Sequence, residues 1–374
     1  MQTGWAASSC SYWTSHRYIE QIVRKQASSF ITFSPKFNRN LIIRINIIVR
    51  ESYFFILAFA ILFFLEVVYF HIAKRYNILD IPNERSSHNR PTIRGGGIIF
   101  ILGIILWAIF NFSIYPWFVI GAILISIVSF IDDIHSVPNR YRIVIHFISI
   151  ILLLYQCGLI VLSGWGILIT IAAIIVATGI INAFNFMDGI NGITGCYSLA
   201  ALIPLLYLNH NYEFVLDKLI LVVIASILVF CFFNFRKRAR CFAGDVGSVT
   251  IAFVIIFLIG RLIAKTHDIS YIMFLAVYGV DSIMTIIHRI YLRENIFEAH
   301  RKHVYQLLAN ELKIPHLVVS TTYFTIQLMV SLGLIFITFN KTLYCLLVLF
   351  LLTVVYWIII KLFFYLHIKN EKLR

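Results

Sequence analysis

Trp165-Gly-Ile-Leu-Ile-Thr-Ile-Ala-Ala-Ile-Ile-Val-Ala-Thr-Gly-Ile-Ile181 runs without a charged side chain into Asn182-Ala-Phe-Asn-Phe-Met-Asp-Gly-Ile-Asn-Gly192. An apolar run of that length reaches what a helix needs to cross the hydrocarbon core of a bilayer, about 17–25 residues. The polar segment then begins at once, so the boundary between lipid and water falls on the amides. A lipid-length run with a crowded polar edge recurs along the chain, and that recurrence decides the fold class.

Working outward, comparable runs occupy residues 53–72, 96–113, 115–131, 143–161, 193–208, 217–233, 248–264, 271–287, 317–338 and 342–366. With 165–181 they predict an all-α, polytopic membrane bundle of about eleven helices. Composition agrees. The 374 residues are 60% hydrophobic and 13% charged, against roughly 25% charged in a soluble domain. The net charge of +14 does not point to nucleic acid. Lys and Arg sit in short gaps between apolar runs, where they encode topology, and a basic rim also suits anionic lipids and phosphorylated substrates. The six cysteines, at 10, 157, 196, 231, 241 and 345, show no metal-ligand spacing and read as small core fillers.

Counting Lys and Arg orients the bundle. Alternate gaps beginning with 73–95, together with the C-terminal tail, hold nineteen, whereas the opposite set holds only Lys218, Arg261, Lys265 and Lys341. The first set is therefore expected in the cytoplasm. Residues 1–52 carry seven basic residues and no span, and the same topology would leave them outside. They show no signal-peptide pattern. They read as an extension without a part in the fold, leaving 53–374 as the membrane domain.

Carboxylates at a membrane edge are costly and are functional candidates by default. Asp132, Asp133, Asp188 and Asp245 all fall at the expected cytoplasmic edge, the first two on one span and the others on two more. Asp132-Asp133 ends the third span, and neighbouring acids raise each other's pKa unless a cation is near. Arg140 and Arg142 follow in the same loop and are able to hold a phosphate. Asn182, Asn185, Asp188 and Asn191 recur every third residue, so a helical or 3₁₀ turn would align them. Such a ladder offers oxygens to a hard cation and donors to phosphate or sugar hydroxyls. Arg240-Cys-Phe-Ala-Gly-Asp-Val-Gly-Ser248 opens the eighth span, with Asp245 suited to anchor Mg²⁺ while substrate phosphates and water complete the shell. In Glu298-Ala-His-Arg-Lys-His-Val304, His300 and His303 would share a face if helical. The cations between them favour diphosphate binding over a zinc pair. Finally, Arg85, His88, Arg90 and Arg94 precede Gly95-Gly-Gly97, a further expected anion-receptive helix entrance.

Taken in this order, the five segments resemble the polyprenyl-phosphate N-acetylhexosamine-1-phosphate transferase family, glycosyltransferase family 4. The likeness runs from about residue 53 to the end. It implies that undecaprenyl phosphate attacks the β-phosphate of a UDP-N-acetylhexosamine, giving a lipid-linked sugar diphosphate and UMP at the inner face of a bacterial cytoplasmic membrane. It assigns Asp245, with Asn185 as second ligand, to Mg²⁺ (Mn²⁺ as substitute). Asp132, Asp133 and Asp188 become the catalytic acids. Arg85, His88, Arg94, Asn182, Asn191, His300, Arg301 and His303 become the substrate contacts. Membrane lipid is a further partner, and a homodimer is compatible with the chain. Two departures stand out: many relatives have Asp where this chain has Asn191, and the His-rich loop reads His-Arg-Lys-His. The second favours an O-antigen or capsule type of enzyme, transferring GlcNAc or a modified relative, over the phospho-MurNAc-pentapeptide step. A transporter would instead place charges at mid-membrane in repeated halves. A CDP-alcohol enzyme would continue its Asp-Gly differently from the Asp188-Gly-Ile-Asn-Gly192 found here.

Overall fold

The computed structural model describes residues 35–81, 90–295 and 301–372, with side chains at 49–81, 90–295 and 301–368. The chain divides into two compact units, Met1–Phe54 and Phe55–Arg374, and the site lies within the second. Arg85, His88 and His300 fall outside the described residues.

Eleven long helices stand among the described residues: α1 (Pro35–Arg75), α2 (Ile98–Asn111), α3 (Pro116–Ile134), α4 (Asn139–Cys157), α5 (Gly166–Met187), α6 (Ile193–Tyr212), α7 (Asp217–Asn234), α8 (Gly244–Thr266), α9 (Ala276–Tyr291), α10 (His316–Phe336) and α11 (Lys341–Lys372). A 3₁₀ segment, Ile269–Leu275, leads into α9. Each overlaps an expected run, but α1 begins at Pro35 and so takes in residues 35–52, which were expected to hold no element. Among the described residues nine segments are long and apolar enough to cross a membrane; α2 is shorter, and α6 ends on the polar Asn209-His-Asn211. The chain is a multi-pass membrane protein of the all-α class.

Helix α8 is the axis of the bundle. Of its most apolar eighteen residues 89% are buried, against 11% for α11 at the rim. A helix apolar on every side belongs in the middle or in lipid, and α8 packs against α3, α5 and α6. Lipid supplies no hydrophobic drive between helices, so close packing and interhelical hydrogen bonds replace it. Phe118 stacks on Phe257 with centroids 4.0 Å apart, and the Ser126 and Thr250 hydroxyls meet at 2.6 Å.

The loops expected in the cytoplasm meet at one end. Phe242 N donates to Ile93 O, Asn191 Nδ2 to Arg236 O, Gly192 N to Asn234 Oδ1 and Tyr305 Oη to Phe186 O. The sparsely charged loops meet at the other, where Lys341 Nζ pairs with Asp268 at 2.7 Å and Arg261 Nε donates to Phe214 O at 3.3 Å.

Candidate active site

Three carboxylates and two guanidiniums gather where α3, α4 and α8 end. Asp133 is fully buried and accepts from the backbone N–H of Asp245 (2.9 Å) and of Val246 (3.0 Å), with Arg94 Nε on the same Oδ1 at 2.7 Å. The amino end of α8 does hold an anion, as helix dipoles favour, but the anion is the protein's own. Asp132 is equally engaged: its Oδ1 takes Val137 N at 2.7 Å and its Oδ2 takes Arg142 Nη1 at 2.5 Å. Asp245 differs. Its side chain keeps 21% exposure, and its guanidinium neighbours stand off, Arg142 at 3.6 Å and Arg94 at 3.8 Å.

Asp245 lines a cavity of about 150 Å³ together with Asn182, Asn185 and Arg142. Helix α5 runs six residues beyond the apolar run, so Asn182 and Asn185 project from its last two turns. Ser248, a full turn into α8, donates to Asn185 Oδ1 at 3.0 Å and fixes the amide beside Asp245. Asp188 caps α5 and accepts from Thr194 Oγ1 at 2.5 Å. Burial pushes its carboxyl up to about 8, against the opposing bond from Thr194, with Asp245 and Asp133 adding to the rise.

The ladder of every third residue holds through Asp188 and then breaks. The chain leaves the helix there, and Gly192, with φ +86°, starts α6 in a new direction. Asn191 is buried with its amide on Arg236 O at 2.9 Å, so it braces the α7–α8 loop and does not face the cavity. The triple glycine also differs from expectation. Gly96 N and Gly97 N donate to Phe242 O and Ala243 O, so these amides bind backbone and not a ligand. A Cβ on Gly97 would lie 2.2 Å from Gly247 Cα. These glycines let α2 and α8 touch.

His303 is buried and extended, at the start of the short turn Val304–Gln306, not on a helical face. Its Nδ1 lies 3.3 Å from Asp281 Oδ1, which also accepts from Val304 N at 3.1 Å, while Tyr323 Oη donates to Oδ2 at 2.6 Å. Tyr305 carries this loop to the Asp188 segment through its 2.8 Å bond to Phe186 O, and the missing side chain of Gly189 makes room for it. Arg301 belongs to the same loop.

Residues 115–262 match the family model described as Glycosyl transferase family 4. The undecaprenyl-phosphate alpha-N-acetylglucosaminyl 1-phosphate transferase of Escherichia coli K12 is 28% identical over an alignment of 266 residues that covers 63% of this chain and 70% of that protein. The corresponding Yersinia pestis protein is 26% identical over an alignment of 282 residues that covers 68% and 75% of the two chains. A probable undecaprenyl-phosphate N-acetylglucosaminyl 1-phosphate transferase of Bacillus subtilis is 26% identical over an alignment of 260 residues that covers 63% and 71%. The likeness to glycosyl transferase family 4 is carried by this central stretch. The matched stretch spans α3 to α8 and so contains Asp132, Asp133, Asn185, Asp188 and Asp245; Arg94, Asp281 and His303 reach the same region from outside it. Sequence reading passed over two partners of these residues, Thr194 and Ser248. Ser248 sits one helical turn past Gly244, a spacing that would have aligned it with the opening of α8.

Among the described residues no three His, Cys, Asp or Glu side chains cluster as a protein-only metal site. That is consistent with Mg²⁺ chemistry, which uses one or two carboxylates and completes its shell with water and phosphates. The donors present fit a hard cation: the loosely paired Asp245 carboxylate and the Asn185 carbonyl oxygen line one cavity.

Proposed function

We propose that this chain transfers N-acetylhexosamine-1-phosphate, GlcNAc or a modified relative, from a UDP-sugar to undecaprenyl phosphate at the cytoplasmic face of a bacterial inner membrane. The observation that carries the reading is Asp245, the least committed of three clustered acids, facing a cavity beside Asn185 and Arg142. Residues 53–374 suffice for it, and 1–52 take no part.

In the transfer a lipid phosphate oxygen bonds to the sugar-bearing phosphorus while the bond to the bridging oxygen breaks, and UMP leaves with that oxygen. Such displacement needs alignment and charge neutralisation more than covalent help. Asp245 and Asn185 would hold Mg²⁺, or Mn²⁺ in its place, which when bound neutralises the donor's diphosphate. Arg142 and Arg94 add fixed positive charge on either side of Asp245. Asp133 sets the direction of α8 and thereby of Asp245, a positioning role. Asp188 and Asn182 take the donor's polar groups, and His303 with Arg301 brings the last loop onto the same end.

The test is direct. Membranes containing the protein, incubated with labelled UDP-sugars, Mg²⁺ and undecaprenyl phosphate, should yield labelled lipid and UMP. Asp245→Ala should reduce turnover about a hundred- to a thousandfold, as losing a preorganised charge contact costs roughly 3–4 kcal/mol of transition-state stabilisation. Normal turnover by a correctly inserted Asp245→Ala protein removes the metal assignment.

A further inference from the structure

One wall of the cavity beside Asp245 has no part in the scheme above. Ser129 on α3 lines it at 1% exposure, and its Oγ has no hydrogen-bond partner. His146 lines it from α4, one helical turn beyond Arg142, and its Nε2 is sealed from solvent and also lacks a partner. Thr178 nearby is different, because its hydroxyl is spent on Ile174 O at 2.8 Å. A buried polar atom left unpaired costs about 1–3 kcal/mol. Two on one wall, close to lipid depth, imply an occupant that pairs with them. A hydrocarbon chain alone cannot do so.

The remaining lining indicates what enters. Arg142 offers a guanidinium at the wet end of the cavity. On the outer side Ile143 and Phe147 line the same cavity while staying 65% and 48% exposed. Donors and a cation within, and apolar side chains at a lateral mouth, match an amphiphile with an anionic head. A phosphate monoester presents several strong acceptor oxygens to such donors.

We propose that Ser129 and His146 hold the phosphate head of the lipid acceptor, with Arg142 opposing its charge and Ile143 and Phe147 admitting its first isoprene units from the side. The identity of the acceptor rests on the transferase reading; the anion-and-tail chemistry rests on the cavity. Ser129 Oγ and His146 Nε2 each donate to a phosphate oxygen, leaving another oxygen toward the Asp245 end. Neither residue makes or breaks a covalent bond.

Purified full-length protein in nanodiscs would be titrated with a short prenyl monophosphate, the matching prenyl alcohol and inorganic phosphate. The comparison covers wild type, Ser129→Ala, His146→Ala and His146→Gln, each first checked for an unchanged melting profile. A hydrogen bond to a charged group is worth about 1.5–3 kcal/mol, so His146→Ala should weaken prenyl monophosphate binding about tenfold or more. Ser129→Ala should weaken it several-fold, and His146→Gln, which keeps a donor, should recover most of the loss. Alcohol binding should not change. In turnover, KM for the lipid should rise while KM for the UDP-sugar stays. Unchanged monophosphate binding in both Ala variants overturns the assignment, as does a parallel loss of alcohol binding. Inorganic phosphate binding as tightly as the prenyl form would replace the lipid with a free anion. Should His146 and Ser129 prove to govern monophosphate binding in a protein that turns over no UDP-sugar, the transferase reading fails and this assignment stands. If His146→Ala does not fold, Ser129→Ala and His146→Gln still decide the matter.

Discussion

At the residue scale, three acids of one type have three environments, and their substitutions should separate. Asp133→Asn removes a charge that closes the amino end of α8 and pairs with Arg94. We expect it to lower stability by about 2 kcal/mol, the upper range for a helix cap, with little more from Arg94, whose side chain stays 36% exposed. Asp245→Asn should leave the melting temperature within a degree or two and remove activity; denaturation in mild detergent distinguishes the two. Asp188 adds a pH signature. Its carboxyl is raised to about 8 by burial, so the folded protein binds this proton more tightly than the unfolded chain does. The stability it contributes is full below the ordinary carboxylate pKa and is lost as pH rises through about 8. EDTA-treated protein should therefore lose stability between pH 6 and 8, by at most about 1.4 kcal/mol per pH unit for one proton. Asp188→Asn should flatten that slope, and an unaltered slope would place the titrating group elsewhere. Asp245 and Asn185 were legible in the sequence because a lone acid and an amide at a membrane edge have few structural uses. The capping role of Asp133 was not, since its partners lie more than a hundred residues away and only the fold introduces them.

At the scale of elements, the helices were readable because lipid demands long apolar runs, and every long helix contains or overlaps an expected run, although α1 begins at Pro35, well before the expected start at 53. The loops were less so. Gly95-Gly-Gly97 reads like an anion cradle, yet its amides pair with residues 242 and 243, and the structure uses the absence of side chains there. Gly97 approaches the Gly247 backbone, where an added Cβ would stand 2.2 Å from Cα with no side chain able to yield. Gly97→Ala should then force α2 from α8, costing several kcal/mol by overpacking and displacing Arg94 from Asp133. Gly179→Ala is the control, because a Cβ at Gly179 meets nothing within 4 Å. Folded yield after detergent extraction should fall for the first and hold for the second; equal yields would show that α2 and α8 separate freely. The His-rich loop carries the same lesson. Asp281 is an acid inside the apolar run 271–287, but its role in holding Val304 and His303 follows only once α9 and that loop are packed together.

At the scale of the whole molecule, the distribution of charge and the geometry of the loops are independent observations that meet. The sign of the topology was counted from Lys and Arg alone, without reference to any acid or amide. In the folded chain the same alternate loops are joined by hydrogen bonds at one end, around Asp133 and Asp245, and the charge-poor loops join at the other. Inverting the bundle would carry the strongly basic set across the bilayer, and each Lys or Arg at a helix centre costs about 2.5–3.5 kcal/mol on insertion scales. The orientation is thus held by many charges and should resist the loss of any one. Single cysteines replacing the exposed Lys237, between α7 and α8, and Asn340, between α10 and α11, would report it in a cysteine-free background. A membrane-impermeant maleimide added to intact spheroplasts should label position 340 at once and position 237 only after lysis. Both labelling from outside would break the alternation of ends on which the bundle depends. A swapped pattern would put Asp245 on the side where cells hold no nucleotide sugar, and the transfer proposed here could not take place.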